Sequence, residues 1–203
     1  MPTFLHIGCG VDNKTTTTAG FNSDEWTEVR FDIDPGVKPD IVGTMLKMDG
    51  VATASMDAIF SSHNIEHLYP HEVPVALAEF RRVLKPNGFL VVTCPDLQAV
   101  CQLVAEDKLL DTAYMSPAGP IAPIDILYGL RTSMAAGNLF MAHRCGFTQK
   151  SLIGSIYHAG FAKVGAARRG APHFDLWAVA SVDDRPAAQL QALATLHIPR
   201  RDS

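Results

Sequence analysis

Thr3-Phe4-Leu5-His6-Ile7-Gly8-Cys9-Gly10 is the stretch whose reading decides the fold: a short β-type run that stops in a glycine turn. Glycines at such a stop let the backbone bend sharply and approach a ligand closely. Residues 28–32 form a second β-type run, which stops in the same way at Asp34-Pro35-Gly36. Between the two, residues 11–26 hold four consecutive threonines and Gly20, so a loop or a short distorted helix is expected there.

Working outward, a weak strand is expected at residues 40–42 and a stronger one at 56–61. Val73, Leu77, Phe80 and Leu84 recur at steps of four, three and four, which puts them on one face of a helix. Pro86-Asn87-Gly88 is expected to end that helix and turn the chain. Residues 89–93, Phe-Leu-Val-Val-Thr, are apolar enough for a strand covered on both faces of a parallel sheet. Residues 97–110 read as a helix, and 148–159 as another, capped by Thr148 and stopped by Gly160. Residues 162–168 and 175–181 read as a closing antiparallel pair, and 186–196 as a short terminal helix. Strands alternating with helices across short turns define an α/β fold with a mostly parallel central sheet and helices on both faces.

The chain of 203 residues, 47% hydrophobic, suits one domain spanning 1–203. Residues 111–145 carry Pro117, Gly119, Pro120, Pro123, Gly129 and Gly137, and are long for a plain connection; they read as an inserted, substrate-covering segment. The formal net charge is -4, and no run of basic residues stands out beyond short pairs such as Arg168-Arg169 and Arg200-Arg201, so composition gives no support for a nucleic-acid partner and none is expected. Four cysteines without C-x-x-C spacing indicate reduced thiols and a cytoplasmic protein. No leader and no bilayer-length apolar stretch is read, so no membrane partner is expected.

In an α/β sheet, ligands bind beyond the carboxyl ends of the strands, where Gly8 and Gly10 stand. Asp32, at the end of the second run, can accept hydrogen bonds from both hydroxyls of a ribose; Asp34 reads equally as a turn residue. A nicotinamide dinucleotide would want a third glycine where Asn13 stands and a well-formed helix facing its phosphates. A cofactor without phosphates, built of adenosine and an amino acid, makes no such demand.

A third feature is Ser61-Ser62-His63-Asn64-Ile65-Glu66-His67-Leu68, followed by Leu84-Lys85-Pro86-Asn87-Gly88-Phe89-Leu90. In this order the motifs resemble the class I S-adenosylmethionine-dependent methyltransferases, specifically the type 11 group, over roughly residues 3–96. The resemblance implies a single Rossmann-like domain with S-adenosylmethionine as cofactor. It implies Gly8, Cys9 and Gly10 against the methionine portion, Asp32 and Ile33 at the ribose, and Thr44 and Met45 beside the adenine. Ser62 and His63 would line the methionine end. The chain departs from the family pattern at Asp12 and Asn13, where many members carry a later glycine, and at Thr44, where many carry an aspartate.

Methyl transfer needs an aligned, desolvated acceptor and, for some acceptors, a base. His63, His67 and His143 are the catalytic candidates, because a histidine titrates near neutrality. Asp96 and Tyr114 are further base candidates, although Asp96 reads equally as a helix cap and His67 as a buried hydrogen-bonding residue. No metal site is expected, since the eight histidines are scattered along the chain. The function read is S-adenosylmethionine-dependent methyl transfer to a small molecule by in-line displacement. The alternatives are an NAD(P)-dependent oxidoreductase and a non-catalytic S-adenosylmethionine-binding module.

Overall fold

The computed structural model describes residues 1–199; the Arg200-Arg201 pair lies outside the described residues. Five strands carry the first half of the chain: β1 (Thr3–Ile7), β2 (Thr27–Asp32), β3 (Ile41–Val42), β4 (Met56–Ser62) and β5 (Leu84–Pro95). A small hairpin, β6 (Tyr114–Ser116) and β7 (Gly119–Ile121), stands apart from β8 (Lys163–Arg169) and β9 (Asp175–Ser181). The main sheet has the order β3-β2-β1-β4-β5-β9-β8. β1 to β5 pair in parallel, and β9 lies antiparallel between β5 and β8. The chain runs outward from β1 to β3 and then returns to place β4 on the other side of β1. Such a reversal opens a crevice at the carboxyl ends of the two inner strands.

One face of the sheet is covered by α1 (Val73–Val83), which buries Val73, Ala76, Leu77, Phe80 and Val83, and by α5 (Gln149–His158), which buries Leu152 and Ile156. Val73, Leu77 and Phe80 of the expected stripe are among the residues that pack. On the other face α6 (Ala187–His197) adds Leu190 and Leu193 to a cluster built on Phe4, Phe60 and Phe89. Phe21 stacks on Phe4 at 4.3 Å between centroids and meets the edge of Trp26 at 5.1 Å. Residues 11–26 thus cover their share of the sheet without an α-helix; their regular structure is the short 3-10 turn Lys14–Thr16, capped by the Asn13 side chain.

The structure departs from expectation at the Lys85-Pro86-Asn87-Gly88 motif. The helix ends at Val83, before the expected Pro86-Asn87-Gly88 stop, and Leu84, expected on its face, begins β5 opposite Met56. Pairing resumes with Phe89 opposite Ala58, so residues 85–88 bulge from a strand instead of forming a free turn. Lys85 Nζ holds Asp57 Oδ1 at 2.8 Å across that bulge. The next helix, α2 (Leu97–Ala105), is shorter than expected, because the chain leaves helical geometry at Glu106 and Asp107 turns left-handed with φ 60°. Residues 111–145 contain the β6–β7 hairpin, α3 (Pro123–Tyr128), α4 (Arg131–Ala135) and a 3-10 turn, Leu139–Met141. Ile121 and Ile126 seat this segment on Val100 of α2 and on Phe174, just before β9. Among the described residues no helix is long and apolar enough to cross a membrane, and the four cysteines are free thiols.

Candidate functional site

A cleft of about 420 Å³ opens at the carboxyl ends of β1, β2 and β4. Gly8 and Gly10 form its floor with φ of 64° and 53°, in the left-handed region that side chains disfavour. At Gly8 a Cβ would stand 1.9 Å from Asn64 Oδ1, so the position admits only glycine; at Gly10 the space is open. Asn64 Nδ2 donates to Ile7 O at 2.9 Å and to Ser62 O at 2.8 Å, tying the end of β1 to the end of β4. Gly8 N donates to Phe31 O at 2.8 Å, and Arg30 clamps the turn from outside, its Nη2 donating to Gly10 O at 2.6 Å.

Asp32 is 8% exposed at the end of β2. Its Oδ2 accepts from Gly10 N at 2.8 Å and its Oδ1 from Asp34 N at 2.9 Å. Each carboxylate oxygen retains a second lone pair for a ligand in the cleft that Asp32 lines. Asp34 takes the turn role, accepting from Gly36 N at 2.7 Å. Ile33, Thr44, Met45, Ser62, His63 and His67 line the same cleft. Cys9 departs from expectation: it is 2% exposed, its thiol points to Gly10 O, and its side chain does not line the cleft.

The β4 end differs in chemistry. His63 leaves the strand with φ 52°, an unfavourable conformation for a side-chain-bearing residue, while its N–H donates to Thr93 O at 2.9 Å. Its ring is 48% exposed, and Nδ1 lies 3.3 Å from Glu66 Oε1, close enough for an ion pair but not aligned as a hydrogen bond. Glu66, on the 3-10 turn Ile65–His67, is 1% exposed, and neither of its carboxylate oxygens has a hydrogen-bond partner. Desolvation works against the charged form of each. The attraction of the pair outweighs it, so the His63 pKa is raised and the Glu66 pKa is lowered, the latter helped by His67 and His143.

The other base candidates are engaged elsewhere. His67 has both ring nitrogens 3.2 Å from backbone oxygens, those of Ala142 and His63. His143 stands behind the cleft with Nδ1 2.8 Å from Ile126 O, and burial lowers its pKa. Asp96 caps α2 through Gln98 N and Ala99 N and pairs with Arg168 at 2.6 Å. Tyr114 packs against Phe174 in the hairpin region, off the cleft. Residues given no role by sequence reasoning complete the site: Asn64 and Glu66 at its base, and Arg144 at its rim, its guanidinium 4.8 Å over the Tyr69 ring. Both Asn64 and Glu66 sit inside the quoted His63–His67 motif, where residue type carried a signal but not a partner.

Comparison with known proteins bears on the fold that carries this site. Residues 5–92 match the family model of the methyltransferase domain. No curated protein matches by sequence. Among solved structures, the chain resembles a Thermotoga maritima S-adenosylmethionine-dependent methyltransferase, a possible histamine N-methyltransferase, at TM-score 0.59 and 13% identity, covering 90% of this chain and 83% of that one. It resembles the Burkholderia thailandensis 1,6-didemethyltoxoflavin-N1-methyltransferase, solved with its substrate and S-adenosylhomocysteine, at TM-score 0.58 and 16% identity, covering 90% and 72%. The citrinin polyketide synthase CMeT domain matches at TM-score 0.56 and 11% identity over 91% of this chain, which spans 47% of that one. At these identities the likeness speaks to the fold, and the motifs of the matched segment speak to the family. The fold is therefore the Rossmann-like one of class I methyltransferases, and residues 5–92 of the chain resemble the methyltransferase domain.

Proposed function

We propose that the cleft binds S-adenosylmethionine and that the chain methylates a small molecule placed against His63. The observation that carries the first half is the pairing of a side-chain-free turn at Gly8 and Gly10 with a buried carboxylate, Asp32, on one cleft wall. The fit is chemical as well as spatial. Asp32 has lone pairs to spare for two ribose hydroxyls, and the glycine turn lets backbone approach the methionine portion. Ile33, Thr44 and Met45 offer a mixed apolar and polar wall for an adenine, and Ser62 and His63 border the methionine end. Between Gly10 and β2 the chain holds one three-residue 3-10 turn, Lys14–Thr16, and no α-helix whose N-terminus could face a pyrophosphate, which counts against the dinucleotide reading.

When bound, S-adenosylmethionine supplies an electrophilic methyl on a sulfonium. The chain's own residues align and desolvate the acceptor, and His63 takes its proton. With Nδ1 turned to Glu66, the His63 ring is left with Nε2 for the cleft, the arrangement of a base held by a carboxylate. Phe140 and Met141 of the covering segment close the rim with apolar surface, which suits a partly apolar acceptor. Four free thiols fit a reducing compartment, and on that ground we assign the protein to the cytoplasm. Calorimetric titration with S-adenosylhomocysteine tests the cofactor assignment: saturable binding is expected, and no heat at millimolar ligand overturns it. An extract searched for products that gain a methyl mass only with both enzyme and cofactor then identifies the acceptor. Loss of that product in His63→Ala, with S-adenosylhomocysteine binding retained, is the result expected of a base.

A further inference from the structure

Beyond holding His63, Glu66 stands beside two further histidines that the proposed methyl transfer does not use. We propose that Glu66, His67 and His143 form a binding site for a divalent transition-metal ion of the zinc class. One donor atom from each lies within 4.8 Å of the others. The independent sign of a missing ligand is Glu66 itself: it is 1% exposed, and neither oxygen has a hydrogen-bond partner. His63 at 3.3 Å offsets its charge but gives it no aligned hydrogen bond, and a cation placed between the carboxylate and two imidazoles would fill that gap.

The histidines are suited to the role. His143 Nδ1 lies 2.8 Å from Ile126 O, so that nitrogen carries the proton and Nε2 keeps a lone pair. Histidines that ligate metals are oriented in just this way by a carbonyl on the far nitrogen. His67 has a backbone oxygen 3.2 Å from each ring nitrogen, and a neutral ring can donate to only one of them. The other nitrogen is therefore better placed on a metal. Bonds of about 2.1 Å keep two ligands of one ion within about 4.2 Å, so the three side chains must close in by small rotations. Two imidazoles and one carboxylate select zinc-like ions over calcium or magnesium, which prefer all-oxygen shells. A void of about 10 Å³ beside Glu66, His143 and Cys145 has room for one water as a further ligand.

The site would join two parts of the chain. Glu66 and His67 belong to the turn that follows β4, whereas His143 ends the covering segment. The two already touch through Arg144 N and Cys145 N, which donate to Glu66 O at 2.8 and 3.2 Å. A metal ion would fasten the covering segment beside the cleft, whatever the cofactor proves to be.

Cobalt(II) is the probe, because it takes zinc sites and absorbs visibly when bound in a low-coordinate site. Full-length protein is stripped with a chelator and titrated with cobalt(II), and zinc is then added. The expected result is a visible band that saturates at one equivalent and is lost when zinc displaces the cobalt. Even outer-shell partners of a metal are worth about 10–100-fold in affinity, so His67→Ala and His143→Ala should each weaken binding by about 100-fold or more. The exposed His71 and His158 serve as controls, and their alanine variants should titrate as wild type. Glu66→Gln is the third arm; should it fail to fold, the two histidine variants decide the matter. Absence of the band from folded wild-type protein overturns the proposal, as does a band that survives both histidine substitutions. Neither outcome depends on S-adenosylhomocysteine binding.

Discussion

Two buried carboxylates stand at the strand ends around one cleft, and their surroundings could hardly differ more. Asp32 accepts backbone hydrogen bonds on both oxygens, from Gly10 and Asp34, and so holds the glycine turn in shape while facing the ligand space. Glu66, after β4, accepts none and is ringed instead by His63, His67 and His143. The first carboxylate is already satisfied as a scaffold and, on the proposed function, also binds the ribose. The second is balanced only by groups that can gain or lose a proton or take up a metal. The proposed function accordingly divides binding and chemistry between the β2 and β4 sides of the same crevice.

The largest expected effect is on the satisfied side. Asp32→Ala removes two charged hydrogen bonds to a ribose, each worth about 1.5–3 kcal/mol, so affinity for S-adenosylhomocysteine should fall by about 100-fold or more in calorimetry. An unchanged affinity would end the comparison, since Asp32 would then be scaffold alone. Gly8→Ala comes next: a left-handed residue whose new methyl meets Asn64 should cost about 3 kcal/mol in urea denaturation and open the junction of β1 and β4. Gly10→Ala sharpens the point, because it has the same backbone strain and open space. It should cost only about 1 kcal/mol.

On the unsatisfied side the expected signature is a pH dependence. The His63 pKa is raised in the folded protein, so its contribution to stability is full below the ordinary histidine value of 6.5 and is lost as pH rises through the folded value. The Glu66 pKa is lowered, so its contribution is present above the ordinary value of 4.5 and is lost as pH falls through the folded value. Their attraction is strongest between the two. The melting-temperature difference between metal-free wild type and Glu66→Gln should accordingly peak in that window and shrink toward alkaline pH. In the same variant, NMR titration should find the His63 pKa lower than in wild type. A difference that does not vary with pH would show that Glu66 acts on His63 through packing and not through charge.

The first half of the chain was the more legible in sequence. β1 and the apolar part of β5 read correctly because a strand covered on both faces must be apolar throughout, and the α1 stripe read correctly because one helical face must meet the sheet. Local signals misled where a neighbour decided the outcome. Lys85-Pro86-Asn87-Gly88 has the composition of a turn, yet β4 offers a partner on both sides of it, so the residues bulge from a strand. The helix expected at 97–110 stops at Ala105, several residues before its apolar pattern runs out. Cys9 lies between two cleft-facing glycines and still turns inward, since the thiol of a small apolar side chain is better buried. The structure within residues 111–145 was not legible, because its short helices and hairpin are held by α2 and Phe174 and not by patterns of their own.

By itself, the sequence determined the α/β alternation, the glycine turn, the acidic end of β2 and the motif that begins at His63. These are local properties, set by periodicity, backbone freedom and residue type. Only the tertiary structure decided that Asn64 fills the space a Gly8 side chain would need, and that Glu66 meets His143 from 77 positions along the chain without a hydrogen bond to balance it. Even the His63-x-x-x-His67 spacing around Glu66 could not reveal that, because burial removes water and so decides whether a carboxylate is satisfied. What surrounds it in space, and not its place in the sequence, sets its chemistry.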